Sequence, residues 1–434
     1  MIRKSARIII TSAVAVVTCL GLAGCGGSPS GSGSSSGGAV NLTLWTNATT
    51  GNGLTYFQNA ISTFESQNPN VTITLTSIQN EDIGTKLQTA LNSNSAPDIF
   101  FQQGGGNMVS EAQAGQIKDL TSVLTDQTKS AFGSGILQAV TSNGKIYALP
   151  TSVQPSGFFY SEDLFKQAGI TSTPTTIPEL QDAVAKLKAA GITPIALGAK
   201  DGWPASQWFF QFVIRECSSA TLDAAASSLT FNDPCFLQAA EDVQNFASTD
   251  PFQSGYLTTS AQQGAGSSAG LVANHQASME LMGMWDPGVI QSLTPDQQPL
   301  ADLGWFPFPS VSGGQGDPTA MLASSDAYSL SAKAPAQAGD FLNFLASADQ
   351  QKLYAAAFAT LPANQQALDS VSNDPINAQV IAAYKQAGYV SNYLDLRFGQ
   401  ALSDAMNSGV VDLLSGKTTP QGLIDTMNTA GAQG

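Results

Sequence analysis

Between residues 40 and 102 the hydrophobic pattern switches repeatedly between the period of a strand and that of a helix, and this alternation limits the fold more than any other feature. In NLTLWT, Leu42 and Leu44 alternate with polar residues, as in a half-buried strand. Leu54, Phe57, Ile61 and Phe64 then recur at helical spacing until Asn68-Pro69 stops them. VTITLTSI alternates again, Ile83, Leu87, Ala90 and Leu91 rebuild a helical stripe, and the apolar run DIFF closes the series. Strands joined through helices run in one direction, so a parallel sheet is predicted. Ligands of such sheets sit outside the carboxyl ends of the strands. The residues just after these three are Thr46-Asn47, Gln79-Asn80 and Gln102-Gln103-Gly104. All are neutral hydrogen-bonding residues or glycine, which points to a neutral, hydroxyl-rich ligand more than to a phosphate or an ion.

A second α/β unit begins near KIYALPTSVQPSGFFYSEDLF, where a strand carrying Ile146 and Ala148 precedes a proline-rich crossing and an apolar strand at Phe158-Phe159-Tyr160. Thr176-Ile177-Pro178-Glu179 reads as a capping box opening a helix through Leu180, Val184 and Leu187, which Gly191 ends. Asp233-Pro234 starts a helix carrying Phe236, Val243 and Phe246, and Thr419-Pro420 starts the last one. Near the C-terminus, Phe341, Phe344, Leu345 and Ala348 form one more helical stripe. The length exceeds what one compact core holds and suits two lobes.

The N-terminus carries its own message. Arg3, Lys4 and Arg7 form a basic region ahead of the apolar run Ile8 to Leu20, the pattern of a secretory leader over residues 1–24. Leu22-Ala23-Gly24-Cys25 resembles the bacterial lipobox, in which the cysteine is lipidated and becomes the first residue; the alternative is a small residue near an ordinary cleavage site. Residues 25–39 then form a Gly/Ser-rich linker, slack enough to hold a body near a membrane without fixing its orientation. With Cys19 in the leader and Cys25 assigned to lipid, Cys217 and Cys235 remain. In an oxidising compartment these two pair; two buried free thiols are the other reading.

The leader holds three of the 17 basic residues and none of the 32 acidic ones, so the chain that remains is more acidic than its formal −15. Nucleic acid is an unsuitable partner. Charged residues make up only 11% of the chain, leaving its polarity to Ser, Thr, Asn, Gln and Gly, which hydrogen-bond without titrating. One histidine and no C-x-x-C leave no basis for zinc chemistry, and no cofactor is expected.

The segments NLTLWTN, APDIFFQQGGG, AQAGQIKDLT, KIYALPTS, FFYSEDLFKQAGI, MELMGMWDPG and LPANQQAL occur in this order over nearly the whole chain after the leader. Together they resemble family 1 of the bacterial extracellular solute-binding proteins, the sugar captors of ABC importers, similar in plan to maltose-binding protein. The resemblance implies a type II periplasmic-binding-protein fold. It has two α/β lobes, each a mainly parallel sheet flanked by helices, joined by a multi-strand hinge. Carried onto this chain, the crossings fall near Pro150, between Pro309 and Met321, and after Pro362. The first lobe then comprises 40–150 plus 316–365, the second 151–315 plus 366–434. The resemblance further implies a lipid-anchored extracytoplasmic monomer that captures a neutral saccharide and passes it to a membrane permease driven by a separate ATPase. Relatives often carry an aromatic at the position of Gln102 or Gln103; its absence shifts stacking to the second lobe, with Trp203, Trp208 and Trp285.

A pyranose has apolar C–H faces and polar edges, so its site needs rings for the faces and amides or carboxylates for the edges. Trp285, in the segment Gly283 to Gly288, is the leading candidate ring, with a core tryptophan as the alternative. Trp203 divides between wall and core, and Trp208 reads as packed. Asn47, Gln102, Gln103 and Gln154 are candidate hydroxyl partners, or solvated loop residues. Asp326 either accepts from hydroxyls or caps a turn, and Arg397 either reaches the cleft or makes a structural ion pair. A secreted hydrolase is the enzymatic alternative, because Gly266-Ser267-Ser268-Ala269-Gly270 fits G-x-S-x-G and His275 follows. A nucleophile elbow requires a buried strand before the serine, and Gln262-Gln263-Gly264-Ala265 is polar, so a serine-capped helix start is expected instead. The same stretch fails as a dinucleotide fingerprint for want of that strand. The acid pairs Glu162-Asp163 and Glu241-Asp242 read as solvated faces, since adjacent helical residues do not face each other. A surface adhesin or scaffold is the third class, and it predicts no small ligand.

Overall fold

The computed structural model describes residues 38–433 other than 133–135 and 138. The expected leader 1–24, Cys25 and the linker through residue 37 lie outside the described residues.

The alternating periods of the N-terminal third form the elements they predict. Strand β1 (Val40–Thr46) leads through helix Gly51–Gln67 to β2 (Val71–Ser77), and helix Asn80–Asn92 leads to β3 (Ile99–Gln102). β1 pairs in parallel with both β2 and β3. After the small hairpin β4 (Thr141–Ser142) and β5 (Lys145–Ile146), β6 (Leu149–Pro150) ends the first pass through this lobe. The chain then runs straight on into β7, a ten-residue strand over Ser152–Ser161.

β7 organises the second lobe. Its first half pairs with β11 (Met321–Ser324) and β13 (Leu361–Pro362), its second half with β9 (Met279–Gly283) and β10 (Leu303–Phe306), all antiparallel. Parallel pairing is confined to β8 (Ile195–Ala196) on β9 and to β14 (Val390–Ser391) on β11. The second sheet is therefore mixed rather than mainly parallel, because one long strand, β7, takes all four of its partners antiparallel. The first sheet is completed by β12 (Ala327–Leu330), antiparallel to both β3 and β6, in the order β2-β1-β3-β12-β6.

Three crossings join the lobes. The first lies at Thr151 between β6 and β7. The second lies at Ser325-Asp326, since β11 still pairs with β7 and only β12 returns to the first sheet. The return expected from residue 316 thus begins at Ala327. The third runs through β13, where Leu361 packs in the second lobe and Ala363 in the first.

Alternation sorts the cores. Phe158 and Phe159 leave β7 on opposite faces, one into the cluster around Trp208 and Phe306, the other into the cluster around Met282 and Trp305. The first lobe packs Leu42, Leu44, Phe57, Phe64 and Phe100 against Phe341 and Leu345. The capping box at Thr176 and Glu179 forms as expected, and Asp233 caps helix Pro234–Ala247 by accepting from the Cys235 nitrogen. Cys217 and Cys235 are disulfide-bonded, with Cα atoms 5.1 Å apart, closing a loop worth roughly 3 kcal/mol on a chain-entropy basis.

Candidate functional site

A cleft of about 1490 Å³ is lined by both lobes and by the hinge strands. On the first lobe its wall is the row of strand ends. Asn47 follows β1 and donates through Nδ2 to Asn80 Oδ1 at 3.3 Å. Gln102, the last residue of β3, donates through Nε2 to Glu111 Oε2 at 2.7 Å and accepts from the Gln103 backbone nitrogen at 3.0 Å. Burial pushes the Glu111 carboxyl up to about 7, against the lowering effect of the Gln102 hydrogen bond. Phe358, at the end of helix Ala348–Phe358, adds a half-buried ring.

The hinge supplies the third part of the lining. Thr151 donates from both its backbone nitrogen and Oγ1 to the Asp326 carbonyl, at 2.7 and 3.0 Å. Ser325 Oγ donates to the Ser152 carbonyl at 2.7 Å. Within this seam Asp326 Oδ2 accepts from Gln154 Nε2 at 3.0 Å and from the Tyr354 hydroxyl at 3.2 Å. Burial raises Asp326 to about 6, and those two donors oppose the rise. Gln154 and Asp326 thus line the cleft from the hinge itself, where their geometry depends on how the two sheets are set.

The second lobe contributes rings. Trp203 opens helix Trp203–Glu216, Trp285 stands between β9 and helix Asp286–Leu293, and Tyr393 precedes helix Leu394–Phe398. Trp285 meets Trp203 edge-on and Tyr393 at a tilt, each with ring centres 6.0 Å apart. Its indole folds over Gly283, where a Cβ would collide with the ring. Buried polar groups in proteins are almost always hydrogen-bonded. Among the described residues the indole nitrogens of Trp203 and Trp285 have no partner, nor do Gln207 Oε1 and Asn407 Oδ1. All four residues line the cleft, so these buried polar groups lie in its wall together with the rings. Asp395 completes this wall, accepting from the Leu396 nitrogen at 3.0 Å; burial raises it to about 6.

The structure brings Asn47, Gln102, Gln103, Gln154, Trp203, Trp285 and Asp326 to one cleft. It does not bring Arg397 there. That side chain lies outside the lining, donating to the Tyr389 hydroxyl and pairing with Asp223. The physical reason is helical: Leu394–Phe398 turns Asp395 and Leu396 to the cleft and Arg397 away from it. Trp208 is a core residue, stacked on Phe246. Sequence reasoning missed Glu111, Phe358, Tyr393, Asp395 and Asn407. Glu111 had a readable signal, because it shares an i, i+3 face with buried Met108 where an apolar residue would be expected. The hydrolase motif resolves as a helix start: Ser267 accepts from the Gly270 nitrogen, and Ser268 Oγ donates to the Ala261 carbonyl in full burial. His275 bonds instead to Asp302, at 2.9 Å. Among the described residues no three or more His, Cys, Asp or Glu side chains gather as a metal site.

Two α/β lobes, three hinge crossings and a ligand cleft between them define a two-lobe solute receptor of the type II periplasmic class. The chain belongs to the bacterial extracellular solute-binding protein family, whose model matches residues 47–352. The family is extracytoplasmic, works with ABC transporters in sugar binding, and consists of binding proteins rather than enzymes. A multiple sugar-binding protein of Streptococcus mutans is 25% identical over 375 residues, covering 80% of this chain and 85% of its own. Among solved structures, a protein from a study of xylan utilization by Caldanaerobius polysaccharolyticus is 28% identical. It superposes with a TM-score of 0.82 over 90% of this chain and 99% of its own. A chitin oligosaccharide binding protein gives the same TM-score at 23% identity, over 92% of this chain and 99% of its own.

Proposed function

We propose that this protein captures a neutral mono- or oligosaccharide between its lobes and delivers it to an ABC permease, as a monomer held at the membrane by lipid on Cys25. The observation that carries the reading is the division of labour in the cleft. Amides and carboxylates line one wall and the hinge, and the other wall adds the indole rings of Trp203 and Trp285 beside its own polar side chains. That pairing matches the polar edges and apolar faces of a sugar ring. The lining acids Glu111, Asp326 and Asp395 disfavour an anionic ligand. The volume exceeds a pocket of roughly 300–1,000 Å³ that suits one small molecule, which favours more than one sugar ring. The sugar-binding name of the Streptococcus mutans relative and the xylan context of the Caldanaerobius structure point the same way.

A thermal-shift and calorimetric screen across neutral sugars, polyols, amino acids and peptides tests the proposal. A saccharide is expected to raise the melting temperature, and a complete panel without any shift would overturn the captor reading. Cys25→Ser is expected to move the protein from the membrane fraction to the soluble one with affinity unchanged; retention in washed membranes would exclude lipidation.

A further inference from the structure

The two lobes meet backbone to backbone where helix Gly105–Gln113 of the first lobe abuts the segment Leu396 to Gly399 of the second. A Cβ on Gly105 would collide with the Leu396 carbonyl oxygen. One on Gly106 would fall 2.6 Å from the Gly399 nitrogen and 2.9 Å from its Cα. The two glycines differ in what else requires them. Gly105 has φ +73°, a conformation that favours glycine in its own right. Gly106 lies within the helix without a positive φ, where alanine is the stronger helix former. The three nearest atoms that a Cβ there would meet all belong to the other lobe.

The next residue extends the seam, with Asn107 Nδ2 donating to Gln400 Oε1 at 3.1 Å. Elsewhere Gln263 Nε2 of the second lobe donates to Glu81 Oε2 of the first at 3.3 Å. A Cβ on Gly288 would stand 3.1 Å from the Phe358 carbonyl oxygen. Gly104, Asn107, Leu396 and Gln400 line the cleft beside the seam, whereas Gly105 and Gly106 do not.

We infer that Gly105-Gly106 is a bearing for lobe closure: the lobes reach this approach only because these two residues lack a Cβ, and the seam against Leu396 to Gly399 sets how far they close. The inference rests on the two-lobe receptor reading but needs no sugar for its test. In the full-length chain, Asn107→Cys with Gln400→Cys places a thiol on each side of the seam. A short bis-maleimide then reports closure as a linked 107–400 peptide in mass spectrometry, and the native Cys217–Cys235 bond marks a folded second lobe.

Adding Gly106→Ala is expected to slow this cross-link by about tenfold or more, the size of a modest population shift, while the melting temperature is kept or raised. Gly115→Ala is the opposing control. It sits just past the same helix at φ +67° with nothing within 4 Å of a Cβ, so it strains the backbone without touching the seam. That variant is expected to lower the melting temperature and leave the rate unchanged. Cross-linking by the Gly106→Ala variant at the parent rate, or a parent pair that never cross-links, would overturn the inference without bearing on what the cleft binds.

Discussion

On the first lobe the cleft is met by strand ends bearing amides, and on the second by strand and helix ends bearing rings. The amides are largely engaged with one another: Asn47 with Asn80, and Gln102 with both Glu111 and the Gln103 backbone. The indole nitrogens of Trp203 and Trp285 are not engaged at all. A group already satisfied within the protein gains little from a ligand, whereas an unpartnered buried donor gains a full hydrogen bond. The first wall is therefore proposed as a pre-formed polar template, and the second is expected to supply most of the binding free energy.

The largest effect expected from this contrast is at Trp285. Trp285→Ala removes the central ring and is expected to cost about 2–4 kcal/mol of affinity. The ligand-free protein should lose less stability than a fully enclosed tryptophan would cost, because the ring is only partly buried where it packs beside the second-lobe clusters. A core role would instead cost roughly 3–5 kcal/mol of stability. Calorimetric titration alongside melts separates the two, and Trp285→Phe should recover part of the loss. Wild-type affinity and stability together would move the energetic centre to Trp203.

The next effect lies behind that ring. Asp286 and Glu280 are both fully buried, and their carboxyl oxygens lack conventional hydrogen-bond partners. Burial pushes Asp286 up to about 7 against the lowering effect of neighbouring Glu280; burial also raises Glu280, and there the Asp286 carboxyl adds to the rise. The folded state thus holds protons that the unfolded chain, with ordinary carboxyls near 4, has released. The contribution of this pair to stability is fullest in acid and is expected to fall as pH rises from about 4 through 7. Asp286→Asn keeps the shape without the charge and is expected to add about 1–4 kcal/mol at pH 8. It should also flatten the pH dependence, as measured by urea unfolding at pH 5 and pH 8. An unchanged slope would mean the pair does not govern that window.

These residues also mark where sequence reasoning stops. The strands and helices from Leu42 to Phe101 were legible because hydrophobic period reports which face is buried, and Asn47, Gln102 and Gln103 followed from the rule for strand ends. Trp285 was legible as a ring beside a glycine. Tyr393 and Asp395 were not, since a five-residue helix after an irregular segment has no periodicity long enough to show a facing direction; Asn407 lies in the long helix Gln400–Leu414, whose period shows its buried face but not which polar residue meets a cleft. The same limit left Arg397, one residue from a cleft-lining leucine, open between the cleft and the ion pair that it forms. The second hinge crossing was set too early because β11 continues beside β7 before the chain returns, and pairing partners distant in sequence leave no local trace.

On the first wall the effect should be smaller. Gln102→Ala removes one amide whose groups are already paired, so an affinity loss of about 1 kcal/mol is expected. The same change strips Glu111 of the hydrogen bond that holds its carboxyl down, so its ionisation should move further up from about 7. Binding titrated between pH 6 and pH 8 should then respond more steeply to pH in the variant than in the parent. A loss as large as that of Trp285→Ala would erase the contrast between the walls.

The smallest effect belongs to Arg397, and it sharpens the comparison from outside. Its guanidinium donates to the Tyr389 hydroxyl at 2.9 Å and pairs with Asp223, whose side chain is 71% exposed. An ion pair with one partner so open to water contributes about 0–1 kcal/mol. Arg397→Ala should therefore lower stability by no more than that, with the loss shrinking as salt screens the pair. Affinity should not move, because the side chain points away from the wall that Asp395 and Leu396 face. If instead affinity dropped several-fold at low salt and recovered at high salt, the field of this arginine would reach the ligand. The second wall would then bind by charge as well as by ring contact. Unchanged affinity at both salt concentrations leaves that wall to its rings and unpartnered polar groups.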